Sequence, residues 1–395
     1  MFPHRESVTK KGFPEMPGEI PEKPGTSGVK KRKIITPHLG KISGKSSPDK
    51  PGVNGVKEHG MEYTNLGSTG LKVSRICLGA MNFNNFEKEE EYIKIINEAI
   101  TDMGINFIDT ADCYGKSEEV VGKALEGKRE DIVLATKCWA GGHRFGGKNA
   151  SGSSRAYILR SVETSLKKLK TDFIDLLIMH RPDEVLQTLG KNPTPTEETV
   201  STLTDLVKQG KIRYFGSSCY QSWKLVETQL LARYEGYEKL CSDQLRYNIL
   251  NRAVEQQVLP VCKKYNIGVT IFSPLEFGWL SGKYHRNETP PKDSRGARKS
   301  MVNLEGENAA RYFDILEKLE PIVKDLGVTM SQFALAWLLH RPVVTSPICG
   351  PRTIEHLRDN VKAVDIKLSQ EIMDQVDKIA PPRSGFNENY INYSL

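Results

Sequence analysis

Four side chains able to handle a proton stand at or just beyond the ends of three short apolar runs. Asp109 and Tyr114 lie in Phe107-Ile-Asp-Thr-Ala-Asp-Cys-Tyr114, Lys137 ends Ile132-Val-Leu-Ala-Thr-Lys137, and His180 ends Ile174-Asp-Leu-Leu-Ile-Met-His180. A tyrosine with its ordinary pKa of about 10 gives up a proton reluctantly at neutral pH. An ammonium beside it favours the phenolate and lowers that value, and Lys137 is the candidate. An ammonium next to an apolar interior needs a carboxylate, which Asp109 can supply. His180 adds a second donor that can orient a carbonyl. Together they could protonate a carbonyl oxygen while a hydride reaches its carbon. Singly, each has a plainer use, as a turn aspartate, a solvent-facing lysine or a structural histidine. A lysine there could also form a Schiff base. Their joint appearance on successive strand ends carries the inference.

These runs are β-branched, apolar and polar only at the C-terminal end, as buried parallel strands are where they open into a site. Further strands are expected at Ile76–Met81, Ile212–Gly216, Ser242–Arg246, Gly268–Ser273 and Val343–Cys349. Helical spacing falls between them, for example Tyr92, Ile95, Ile96 and Ala99, or Ile158, Val162, Leu166 and Leu169. Ser117 reads as the N-cap of the helix before strand three. Eight strands alternating with helices predict an α/β fold, a (β/α)8 TIM barrel. No G-x-G-x-x-G follows the second strand, so the usual dinucleotide fingerprint is absent. Three long connections, Trp139–Ser154, Arg181–Thr196 and the basic Glu276–Glu307, all follow strands and belong on the C-terminal rim.

The 395 residues carry a net charge of +7. Residues 1–60, rich in Pro, Gly, Lys and Ser, hold 12 Lys+Arg and 6 Asp+Glu, so residues 61–395 carry only +7 − 6 = +1. The basic excess therefore sits in a tail that reads as a disordered extension, and the folded part is not expected to bind nucleic acid. Lys30-Lys-Arg-Lys33 could act there as a localisation or anionic-surface signal. No apolar stretch is long enough to span a membrane, no secretory leader is recognisable, and the seven cysteines show no C-x-x-C spacing. A cytoplasmic protein with reduced thiols, no membrane insertion and no metal is expected, with residues 61–395 as one domain.

From Met61 to about Ala380 the chain resembles the aldo-keto reductase superfamily, in the branch that includes microbial reductases and potassium-channel β subunits. The resemblance rests on Gly104-Ile-Asn-Phe-Ile-Asp-Thr-Ala-Asp-Cys-Tyr-Gly115, Leu176-Leu-Ile-Met-His180, Gly210-Lys-Ile-Arg-Tyr-Phe-Gly-Ser-Ser218, Gln244-Leu-Arg-Tyr-Asn248, Phe272-Ser-Pro-Leu275 and Gly350-Pro-Arg-Thr353 with Asn360. It implies reduction of a small carbonyl substrate by NADPH without metal. By position it makes Tyr114 the general acid, Lys137 and Asp109 its tuning pair, and His180 the carbonyl-orienting residue. It implies that Ser217 and Gln244 lie at the nicotinamide amide and Phe272 on its ring, with Ser218 also among the cofactor-binding residues. Ser273 and Leu275 would line the pyrophosphate, and Arg352, His356 and Asn360 the adenosine end. Cys219 stands where the pattern usually has Asn, and His356 where Gln or Arg is common. Trp139 and Phe83 are candidate pocket residues, and Cys113, Cys138 and Cys219 are expected around the site as oxidant-sensitive thiols. The same resemblance allows a second role, a cofactor-sensing regulatory subunit acting through a protein partner.

Overall fold

The computed structural model describes residues 60–139, 152–184, 192–298, 302–306 and 308–382. The N-terminal extension with Lys30–Lys33, most of the glycine-rich connection after Trp139 and residues 185–191 lie outside the described residues.

A short antiparallel hairpin, β1 (Tyr63–Asn65) and β2 (Lys72–Ser74), comes first. Eight parallel strands follow: β3 (Cys77–Gly79), β4 (Phe107–Asp109), β5 (Val133–Cys138), β6 (Ile174–Met179), β7 (Ile212–Ser218), β8 (Ser242–Arg246), β9 (Gly268–Phe272) and β10 (Val344–Cys349). Each pairs with the next, and β10 closes onto β3, giving the expected (β/α)8 barrel.

The two-residue period of a strand divides the side chains into an inner and an outer set. On β5, Val133 and Ala135 join the cluster that fills the barrel, whereas Leu134 and Cys138 join the layer beneath the helices. Phe107, Leu176, Ile178 and Ile348 are also inner residues. The hairpin closes the N-terminal end of this interior with Leu66 and Val73, both fully buried. Gly67 makes that closure tight. Its φ is +58°, and a Cβ there would sit 2.4 Å from the Cys241 carbonyl oxygen. With one end plugged, the opposite end, where the strands finish in polar residues, is the open mouth.

The helices α1 (Glu89–Thr101), α2 (Ser117–Ala124), α3 (Arg155–Leu169), α4 (Thr196–Lys208), α5 (Ser222–Glu235), α6 (Val258–Tyr265), α7 (Ala309–Asp325), α8 (Met330–Leu339), α9 (Ile354–Val361) and α10 (Gln370–Ile379) follow in chain order. Side-chain caps fix several N-termini: Ser154 on α3, Thr329 with Gln332 in a capping box on α8, Thr353 on α9 and Ser369 on α10. Ser117 is not a cap. It is the first residue of α2, and its buried hydroxyl donates to the Ala80 carbonyl at 2.8 Å, fastening α2 to the segment after β3. Among the described residues, no single helix is long and apolar enough to cross a membrane. Apolar α8 is instead buried against the barrel, with Trp337 fully enclosed.

Candidate active site

Asp109 ends β4, Lys137 is the fifth residue of β5, and His180 directly follows β6. All three occupy inner positions by the strand period, so their side chains meet above the apolar filling. The fully buried Lys137 donates from Nζ to Asp109 Oδ2 at 2.5 Å and to the Thr110 carbonyl at 2.9 Å. Gln244, an inner residue of β8, donates from Nε2 to Asp109 Oδ1 at 2.9 Å. Asp109 is therefore engaged through both oxygens. Tyr114 hangs over this pair from the turn between β4 and α2, with Lys137 Nζ 4.9 Å from its ring centroid. His180 meets the same ring edge-on, with centroids 5.7 Å apart and planes at 82°.

The electrostatics follow from burial and pairing. Desolvation would drive the proton off Lys137, but Asp109, the Tyr114 phenol and the hydrogen bonds to both raise its pKa above the ordinary value. Such an ammonium is in the wrong state for nucleophilic attack, so this arrangement does not suit a Schiff-base lysine. Tyr114 is pushed up to about 12, because desolvation outweighs the nearby Lys137 charge. The net lowering expected from the sequence is thus reversed by burial, and the phenol holds its proton throughout the neutral range. His180 is held well below its ordinary value, first by burial and then by the Lys137 and Arg181 charges, and is a neutral imidazole.

The residues expected to meet a nicotinamide separate by strand face. Ser218 is on the inner face, and its hydroxyl donates to the Gln244 carbonyl at 3.0 Å. Ser217 points the other way. Its hydroxyl bonds Asp243 Oδ1 at 2.7 Å beneath the helices, because adjacent strand residues face opposite sides. Cys219 follows with φ +60°, is nearly enclosed, and takes Arg181 Nη1 at 3.2 Å on its sulfur. Phe272, last in β9, packs at the upper edge of the inner cluster. Beyond it the chain turns sharply: Ser273, Glu276 and Phe277 have φ of 51°, 46° and 55°. The Ser273 carbonyl accepts from Asn248 Nδ2 at 3.0 Å, and Leu275 is half-buried against the outer layer. Three non-glycine residues in the left-handed region within five positions mark a segment whose shape is enforced by its surroundings.

Cations gather on the neighbouring rim. Lys283 and Arg295 both have lowered pKa values, first through burial and then through the positive charge of Arg352. None of the three is in a salt bridge among the described residues, although Arg352 donates to the Asp293 carbonyl at 2.8 Å. Half-buried cations that depress one another, outside any salt bridge among the described residues, are suited to an anion. Arg352 leads into α9, where Thr353 caps the helix by accepting from the His356 N–H. His356 is exposed on the first turn, and Asn360 is buried at the far end of the helix.

A family model described as "Aldo/keto reductase family" matches residues 75–381. The chain belongs to that family. It is 38% identical over 336 residues to an uncharacterized oxidoreductase, YrpG, of Bacillus subtilis, covering 82% of this chain and 98% of that one. A probable voltage-gated potassium channel subunit beta of Oryza sativa subsp. japonica is 34% identical, covering 84% and 100%. Versiconal hemiacetal acetate reductase of Aspergillus parasiticus is 32% identical, covering 82% and 98%.

In this aldo/keto reductase three expected pocket or thiol residues are buried in other contacts. Phe83 is fully buried and stacks on Tyr92 with ring centroids 4.8 Å apart, so it is core. Cys138 faces outward against the Met179 sulfur at 3.6 Å. Trp139 is also buried, with its Nε1 donating to Asp183 Oδ1 at 2.5 Å. Asp183 was not singled out from the sequence. It further accepts the Ser153 N–H and hydroxyl at 3.0 and 2.7 Å and the Thr194 N–H at 3.1 Å. One carboxylate thus ties together the connections after β5 and β6. Its signal was an Asp three residues beyond a strand-end His, which is indistinguishable in sequence from a loop aspartate.

Proposed function

We propose that residues 61–395 form an NADPH-dependent reductase of small aldehydes or ketones. The observation that supports it best is the Tyr114 phenol held between a buried Lys137–Asp109 pair and a neutral His180 at the barrel mouth. The partner-poor cations Lys283, Arg295 and Arg352 fit the phosphates of a dinucleotide, and a third phosphate group favours NADPH over NADH. Ser218, Gln244 and Phe272, at inner positions near the strand ends, suit the nicotinamide end, and we assign Ser273 and Leu275 to the pyrophosphate and His356 and Asn360 with Arg352 to the adenosine end.

When bound, the cofactor supplies a hydride to the carbonyl carbon. Tyr114 donates its proton to the carbonyl oxygen, and the Lys137 ammonium stabilises the phenolate left behind. Asp109 keeps Lys137 charged and, through Gln244, fixes the floor of the site. His180 donates a hydrogen bond that orients the oxygen toward the phenol. NADPH absorbance followed with a panel of aldehydes and ketones tests this reading. Turnover that disappears in Tyr114→Phe supports it, and a wild-type protein inert to the whole panel refutes it.

A second reading is supported by relatives named as probable potassium channel β subunits. In it the same site binds NADPH tightly and reports redox state to a partner. Very slow cofactor release with little turnover would favour this reading over the first.

A further inference from the structure

We propose that Asp112, Cys113 and His180 form a binding site for a divalent metal of soft or borderline character, zinc foremost. One ligand atom from each residue lies within 4.8 Å of the other two. Cys113 Sγ and His180 Nδ1 are 3.5 Å apart. A tetrahedral zinc with bonds of about 2.3 Å to sulfur and about 2.0–2.1 Å to imidazole nitrogen holds those atoms about 3.5 Å apart. The sulfur and nitrogen are therefore already at the spacing that shared coordination requires.

The carboxylate is oriented from behind, as ligating carboxylates are. Asp112 Oδ2 accepts the Tyr157 hydroxyl and the Ser161 hydroxyl, each at 3.0 Å. Metal can reach the site because Cys113 is exposed, whereas the other six cysteines are buried. Lys137 and Arg181 oppose a dication nearby. The Lys137 charge is already matched by Asp109, and binding converts the thiol to a thiolate, releasing its proton to solvent. Thiolate and carboxylate then balance the two charges of the ion. One sulfur, one nitrogen and one oxygen donor select zinc, cobalt or cadmium over magnesium or calcium, and water fills the fourth position.

The site shares His180 with the proposed reductase, but its test reads binding without turnover and stands apart from that reading. Full-length protein is titrated with Co2+. The expected result is one equivalent bound, with the visible bands of tetrahedral cobalt and a sulfur-to-cobalt charge-transfer band, displaced by Zn2+ and not by Mg2+. Cys113→Ala should lose these bands with its melting temperature unchanged. Independently, Zn2+ should slow alkylation of Cys113 at least tenfold, read by peptide mass spectrometry. A missing charge-transfer band, a band that persists in Cys113→Ala, or an alkylation rate indifferent to Zn2+ would each overturn the site and leave the 3.5 Å contact as a plain thiol–imidazole hydrogen bond.

Discussion

The Arg181 guanidinium donates to the Cys219 sulfur at 3.2 Å, joining the second residue after β6 to the first residue after the neighbouring β7 at the barrel mouth. Sulfur is a weak acceptor and a thiol a weak donor, so Cys219 offers little to an amide group of a ligand. Its backbone, at φ +60°, is in the left-handed region, where Asn is better tolerated. Cys219→Asn should therefore gain twice. Its Oδ1 can take over the Arg181 contact, and its Nδ2 becomes a donor at the mouth. One added hydrogen bond of about 1 kcal/mol predicts about fivefold tighter NADPH binding. Fluorescence titration of the cofactor checks this, and a melting temperature equal to or above that of the wild type checks the backbone argument.

Tyr114 needs its proton to act, and its pKa is pushed up to about 12. The reduction rate should therefore be flat from neutral to mildly alkaline pH and fall only as the phenol ionises. Removing the hydroxyl in Tyr114→Phe should lower turnover by about 10²–10⁴-fold, the usual worth of a positioned acid. Cofactor affinity should stay near the wild-type value. A pH–rate profile beside a binding titration separates the two effects.

Much of this site was legible because an inner strand position dictates both burial and direction. Asp109, Lys137 and His180 sit at the ends of runs whose apolar pattern already fixed the barrel, so their meeting followed from topology. Ser217 and Ser218 show the limit. They are equally polar neighbours, and only the strand register decides that one faces the mouth and the other Asp243. Strands β1 and β2 were missed because three-residue strands joined by a six-residue connection carry no usable period. The Lys137–Tyr114 balance was misjudged in direction because proximity is readable from sequence, whereas the degree of desolvation depends on everything packed around the phenol.

Lys137 and Asp109 are nearly free of solvent, with side-chain exposures of 0% and 6%. Removing one charge strands the other. Lys137→Met should destabilise the protein by about 3–5 kcal/mol, and Asp109→Asn by a comparable amount. Replacing both with apolar residues should recover much of the loss, since no unpaired charge remains, while activity stays absent. Urea unfolding of the two single variants and the double variant checks the non-additivity.

Asp243 lies beneath the helices, and its Oδ2 is buried without a hydrogen-bond partner among the described residues. Desolvation lifts its pKa to about 7, against hydrogen bonds from Ser217 and the Tyr220 and Gln244 backbone N–H groups that hold it down. The unfolded carboxyl titrates at about 3.9. Between these values the folded state binds the proton and the unfolded state does not, so stability from this group falls as pH rises from about 4 to about 7 and is level above. The loss is on the order of 4 kcal/mol. Asn at this position keeps an acceptor for the Ser217 hydroxyl and cannot ionise. Asp243→Asn should therefore show a weaker decline of melting temperature between pH 4 and 7 than the wild type, and greater stability than the wild type at pH 8. Parallel slopes for the two proteins would show that Asp243 is not the group responsible. Because Asp243 holds Ser217 and the Tyr220 N–H on either side of Ser218 and Cys219, the same substitution should leave cofactor affinity less dependent on pH across that interval.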